Sequence, residues 1–259
     1  MGDEYLTQPK IIAVSGKGGV GKTSFIALTL KTLLNSNHKE ILVIDGDADS
    51  NIPEVLGVNV TKTVGTIVND FKRNMGGLSP GVDKKDYLES LIFSILKEGE
   101  DFDLLVMGAT EREGCYCSVN NLLTKIMDTL TKNYKYTLLD LPAGLEHVSR
   151  RTSKNINYMF LITDASKMGL QTAARIRDLA KSLKSNFEHI YLVGNKVTPD
   201  IEPLVKEQAQ KYNLEYVGSI PPDEELAQYN LEGKPLLLLP ETNPAYQMVS
   251  KIIKSKMAN

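Results

Sequence analysis

Only two of the 259 residues are cysteine. No apolar run approaches the ~20 residues that a membrane-spanning helix needs. The longest aliphatic block near the end is Leu236 to Leu239. Met1 to Lys10 is polar and charged and carries no apolar signal region. These absences lead to the expectation of a cytoplasmic protein whose cysteines are not a structural disulfide. An excess of one charge is also missing: Lys+Arg 30 against Asp+Glu 32 leaves a net charge of -2. That balance argues against bulk electrostatic binding to nucleic acid or to anionic lipid, while leaving room for a local basic patch. Repeats, low-complexity tracts and long linkers are absent as well. The expectation is one domain over residues 1–259, with 42% hydrophobic residues to fill its core.

What is present starts with an apolar strand, Ile11-Ile12-Ala13-Val14. It runs into Ser15-Gly16-Lys17-Gly18-Gly19-Val20-Gly21-Lys22-Thr23-Ser24. Strand, glycine-rich loop and helix start come in the order of a phosphate loop, with Gly16 and Gly21 as its fixed glycines. Backbone N–H groups must curl around a triphosphate, and glycine tolerates both the dihedrals and the close approach. In this pattern Lys22 puts positive charge on the β- and γ-phosphates. The Thr23 hydroxyl is a magnesium ligand. Gly18, Gly19, Val20 and Ser24 complete the cradle, and the helix dipole points its positive end at the anion.

The rest of the chain alternates. Short apolar runs at Ile41–Ile44, Asp103–Met107, Tyr136–Asp140, Tyr158–Thr163, Ile190–Val193 and Tyr216–Ile220 read as strands buried on both faces. Amphipathic stretches at 22–34, 63–97 (broken at 74–81), 119–131, 170–183, 200–212, 226–231 and 245–257 read as helices. The expected fold is a single α/β domain, a mostly parallel sheet with helices on both faces. Two strands end on acids. Ile41–Ile44 runs into Asp45, Asp47 and Asp49, and Tyr136–Leu139 runs into Asp140. Carboxylates past the carboxyl end of a strand lie where ligands bind in doubly wound sheets. Asp140 is the expected second acidic strand end, holding magnesium through water.

Cys115 and Cys117 are separated by one residue. They are either two unpaired thiols or half of a tetrahedral thiolate site. Four thiolates would suit Zn²⁺, square-planar Ni²⁺ or an iron–sulfur cluster. A dimer would supply them.

The early lysine, Lys17, makes the loop resemble the MinD/nitrogenase-iron-protein superfamily of ATPases. That resemblance implies ATP as the nucleotide and a homodimer in which Lys17 reaches the partner's phosphates. It implies Asp47 as the residue that positions the attacking water and Asp45 as a magnesium holder, with Asp49 able to replace either. It implies Gly144 as the sensor of the γ-phosphate, Asn195 at the adenine edge, and Pro221-Pro222-Asp223 packed against the base. Gly-Cys-x-Cys at 114–117, Ala143-Gly144-Leu145-Glu146-His147 and Asn51-x-x-Glu54-Val55-Leu56-Gly57 are similar to the CooC-type ATPases. Those insert nickel into carbon monoxide dehydrogenase and, in close relatives, acetyl-CoA synthase. The resemblance therefore implies ATP-driven delivery of Ni²⁺, with Zn²⁺ able to occupy the same cysteines and a nickel enzyme as client. No nucleic acid and no stable membrane association are expected.

Two alternatives stay open. An iron–sulfur carrier or reductase of the superfamily places its cysteines beside the second switch or near the C-terminus, where this chain has none. A positioning ATPase could use Met248, Ile252, Ile253 and Met257 with Lys251, Lys254 and Lys256 as a basic amphipathic helix. His147 and Glu146 are each open between shaping the second switch and touching metal.

Overall fold

The computed structural model describes residues 8–47, 49–74, 81, 83–109, 125–143, 156–182 and 187–257. Seven strands form one sheet: β1 Lys10–Gly16, β2 Ile41–Asp45, β3 Asp103–Val106, β4 Tyr136–Asp140, β5 Ile156–Thr163, β6 Phe187–Asn195 and β7 Glu215–Ile220. Their order across the sheet is β3-β2-β4-β1-β5-β6-β7. Every pairing of these strands is parallel, so the expected mostly parallel sheet is fully so among the described strands.

Helices fill the crossovers: α1 Lys22–Asn35, α2 Ile52–Leu56, α3 Val64–Asn74, α4 Lys84–Ser94, α5 over 125–130, α6 Lys167–Ser182, α7 Glu202–Lys211, α8 Glu224–Leu231 and α9 Pro244–Met257. A parallel pair needs a long crossover, and among the described residues helices lie in every connection but that from β4 to β5, most of which is outside them. The alternation of strand side chains divides the core. Ile12 and Val14 of β1 pack with α1 and α9 on one face. Ile11 and Ala13 pack with α6 on the other. Beyond them α3 and α4 cover Leu42, Ile44 and Leu105. Phe160 lies at the centre of the first face, fully buried between Phe25 and Tyr191, at 5.4 and 5.6 Å between ring centroids.

Two differences from the sequence reading have plain causes. Helix α2 is missing from that reading because five residues are too short to show a period. It forms locally: Pro53 suits the first turn, and Gly57 takes the left-handed conformation that ends it. Its Ile52 and Leu56 are buried. The second difference concerns the basic helix at the C-terminus. Val249, Ile252 and Ile253 of α9 are 0–3% exposed, and the helix packs on α1 and β7. The apolar face that a membrane anchor would need is used in the core. No helix among the described residues is long and apolar enough to cross a membrane.

Candidate functional site

All seven strands point their carboxyl ends the same way, and the sequence-predicted acids and the glycine-rich loop meet there. The central strand, β1, ends in the loop. A side chain at Gly16 would overlap the backbone carbonyl of Ile162 on β5, so the loop leaves the sheet only with glycine there. Gly21 caps α1 at φ 93°, a left-handed conformation, and a side chain there would collide with the Asn195 amide. Helix α1 has no side-chain N-cap and no acid in its first turn. Its free N–H groups are left for an anion.

A cavity of about 350 Å³ opens between this loop and α8. Gly18, Gly19, Lys22, Thr23 and Ser24 line one side, and Asp47 and Asp49 the rim. Asn195, Pro221, Asp223 and residues of α8 line the far side. Lys17 is half-buried in the loop and is not part of the cavity lining. Lys22 is 8% exposed, its ammonium 3.9 Å from Asp47.

The acids are held by different means. Asp45 is fully buried; one oxygen accepts from the Asp47 N–H at 3.2 Å and the other from the Ile52 N–H at 3.0 Å. Helix α2 and the aspartate turn are thus pinned to the end of β2. Like Asp140, Asp45 is not itself part of the cavity lining. Burial raises its pKa to about 6, against the pull of those two N–H groups. Asp140 sits opposite in register with Asp45 on β4. Its pKa rises to about 7, mainly through burial. Asp45 and Asp47 add to the rise, while Lys22 and the Thr23 hydroxyl oppose it.

Thr23 donates to one Asp140 oxygen at 3.3 Å. The other oxygen is buried with no partner. An orphaned carboxylate oxygen beside a threonine hydroxyl and below a phosphate cradle fits magnesium, which keeps several waters and takes one or two protein groups plus phosphates. The chemistry that ion supplies when bound is charge neutralisation of the phosphates.

Asn195 closes β6, and its amide donates to the Val20 carbonyl at 2.7 Å. This bond ties the end of β6 to the phosphate loop, whereas the family resemblance implies an adenine contact for Asn195. Asp223 caps α8 through the Leu226 N–H at 2.7 Å. Sequence reasoning missed Asn51, Lys196, Leu226, Ala227 and Asn230, which also line the cavity. The signal for the α8 residues was there: an N-cap aspartate after Pro221-Pro222 places the next helix against whatever those prolines touch. Cys115, Cys117, Gly144, Glu146 and His147 lie outside the described residues. Among the described residues no group of three or more His, Cys, Asp or Glu side chains could hold a metal ion.

A phosphate loop at the end of the central strand, with acid-ended β4 beside it and acid-ended β2 next in the sheet, defines a phosphate-loop nucleotide-binding domain. Residues 11–236 match the CobQ/CobB/MinD/ParA nucleotide binding domain, and the chain belongs to that family. It is 51% identical over 244 residues to an ATP-binding protein of Methanocaldococcus jannaschii, covering 93% of this chain and 96% of that one. It is 28% identical over 224 residues to the carbon monoxide dehydrogenase accessory protein CooC of Rhodospirillum rubrum, covering 82% and 83%. The structure of an ATP complex of a McdA variant from Cyanothece superposes with a TM-score of 0.70 at 16% identity, covering 97% of each chain. That last likeness is one of fold. The chain is an ATP-binding α/β protein of the MinD/ParA type.

Proposed function

We propose that this chain is an ATP-hydrolysing homodimer that carries nickel between Cys115 and Cys117 of two subunits and delivers it to a nickel enzyme. The observation that carries the proposal is the lone Cys-x-Cys pair in a chain 28% identical to a carbon monoxide dehydrogenase accessory protein. Two sulfurs per subunit are half of a four-thiolate site, and a nucleotide-held dimer completes it. Strand β3, the last described strand before the cysteines, points its carboxyl end the same way as the strand that feeds the phosphate loop. The chain therefore leaves the sheet toward the cysteine segment on the side where nucleotide binds.

In this reading Lys22, Gly16 and Gly18 to Ser24 bind the phosphates. Thr23 holds magnesium by its hydroxyl, Asp140 through water, and Asp45 directly or through water. Asp47 positions the attacking water, Gly144 senses the γ-phosphate, and Lys17 reaches into the partner's site. Asn195, Pro221, Pro222 and Asp223 form the base side. Nickel is cargo, and Zn²⁺ competes for the same sulfurs. ATP and metal then favour the same closed dimer, so each raises the affinity of the other. The client is carbon monoxide dehydrogenase or acetyl-CoA synthase.

The test is metal analysis of the full chain with ATP and Ni²⁺, alongside its oligomeric state. Wild type is expected to bind about one ion per dimer. Cys115→Ser/Cys117→Ser is expected to bind none while still binding ATP. An unchanged metal content in that variant removes nickel carriage and leaves an ATPase only.

A further inference from the structure

Asn243 is 2% exposed and lies outside the nucleotide cavity. Its amide Nδ2 donates to two carboxylates of the α8 N-terminus: to Asp223 at 2.9 Å and to Glu225 at 3.0 Å. Its Oδ1 accepts from the Tyr246 N–H at 3.0 Å, which caps the first turn of α9. One side chain therefore joins the starts of two helices. Asp223 completes the joint by accepting from the Ala245 N–H at 3.4 Å.

The joint matters because α8 has little else to hold it. No residue of α8 is fully buried, and Leu231 at its end is 88% exposed. Leu226 and Tyr229 touch the core while only partly buried. A helix with no fully buried side chain draws modest positional restraint from the hydrophobic effect. Yet Asp223, Leu226, Ala227 and Asn230 form the cavity wall that faces the phosphate loop. In the nucleotide reading of the cavity, phosphates in the loop leave the nucleoside facing this wall. A wall fixed by polar bonds at one end moves when those bonds are cut.

We propose that Asn243 is a positioning residue for nucleotide recognition: it sets α8 against the nucleoside and leaves the phosphate cradle untouched. The inference rests on the nucleotide reading of the cavity and not on the cysteine reading. A change of one atom type isolates it. Asn243→Asp keeps the shape and keeps the acceptor that caps α9. It replaces the bridging donor with an oxygen that faces two carboxylates, so attraction becomes repulsion.

The experiment compares Mg²⁺–ATP with Mg²⁺–tripolyphosphate, which fills the cradle and has no nucleoside. Asn243→Asp is expected to weaken ATP by about tenfold while tripolyphosphate stays within about twofold of wild type. In turnover the KM for ATP rises and kcat holds. Asn243→Ser keeps a capping oxygen and drops the bridge, so it gives the same split should the aspartate variant not fold. Equal losses for both ligands, or no loss in either variant, would overturn the proposal. A wild type that binds tripolyphosphate but not ATP would instead remove the nucleotide reading beneath it.

Discussion

Lys22→Met is expected to lower ATP turnover by about 10²-fold to 10³-fold or more, the usual cost of losing one preorganised charge at a developing anion. The structure gives the reason for so large an effect. Lys22 is 8% exposed in the cavity lining, its ammonium 3.9 Å from Asp47 and within the field of Asp140. A buried cation acts on phosphate in a medium that screens it little. Lys17 of the same subunit does not replace it, since that side chain is no part of the cavity lining.

Folding should survive the change. Asp140, which interacts with Lys22, can take up a proton, since burial already raises its pKa to about 7. The expected result is a folded protein with a thermal midpoint close to wild type and no measurable ATP-dependent dimer. Single-turnover hydrolysis and sedimentation with ATP check it together. Turnover within a few-fold of wild type would place the phosphates elsewhere.

How much of this was legible in the sequence follows from how local each signal is. The phosphate loop is contiguous, so its glycines, Lys22 and Thr23 could be read directly. Strands buried on both faces show as unbroken apolar runs, and β2 and β4 were located to within a residue because each ends on an acid. Strands β5 and β6 run further than their apolar cores. Buried Ile156 with Asn157, and Phe187 to His189, extend them at the sheet's amino end, where Tyr158 stacks on His189 at 5.6 Å. Long-range polar ties left no such trace. The Asn195 bond to Val20 spans 175 positions, and nothing around Asn195 in sequence announces it. Asn243 before Pro244 could be read as a helix cap. That its amide also holds Asp223 and Glu225 depends on where α8 and α9 meet, which only the fold decides.

Asp140→Asn is expected to make the nucleotide-free protein more stable at alkaline pH while disabling it. The ordinary carboxyl value is 3.8, and in the folded chain Asp140 is raised to about 7, first by burial and then by Asp45 and Asp47. Between those two values the folded state holds a proton that the unfolded state has given up. Stability linked to that proton is fully present below about pH 4 and is lost as the pH climbs through about 7. A difference of about three units corresponds to something on the order of 4 kcal/mol. Asp45, raised to about 6, acts in the same direction, and the two acids titrate as a coupled pair. Urea midpoints of the apo protein should therefore fall as the pH rises from about 5 to about 8. Asparagine carries no charge to desolvate, so the variant's profile should flatten and lie above wild type at the alkaline end. Magnesium and ATP should flatten the wild-type profile too, because a cation beside Asp140 favours its ionised form. The variant should gain nothing from them. A wild-type profile already flat without nucleotide would mean that water or a cation reaches the Asp140 oxygen in the empty protein. The pH-linked cost of ionising this buried carboxylate would then be absent.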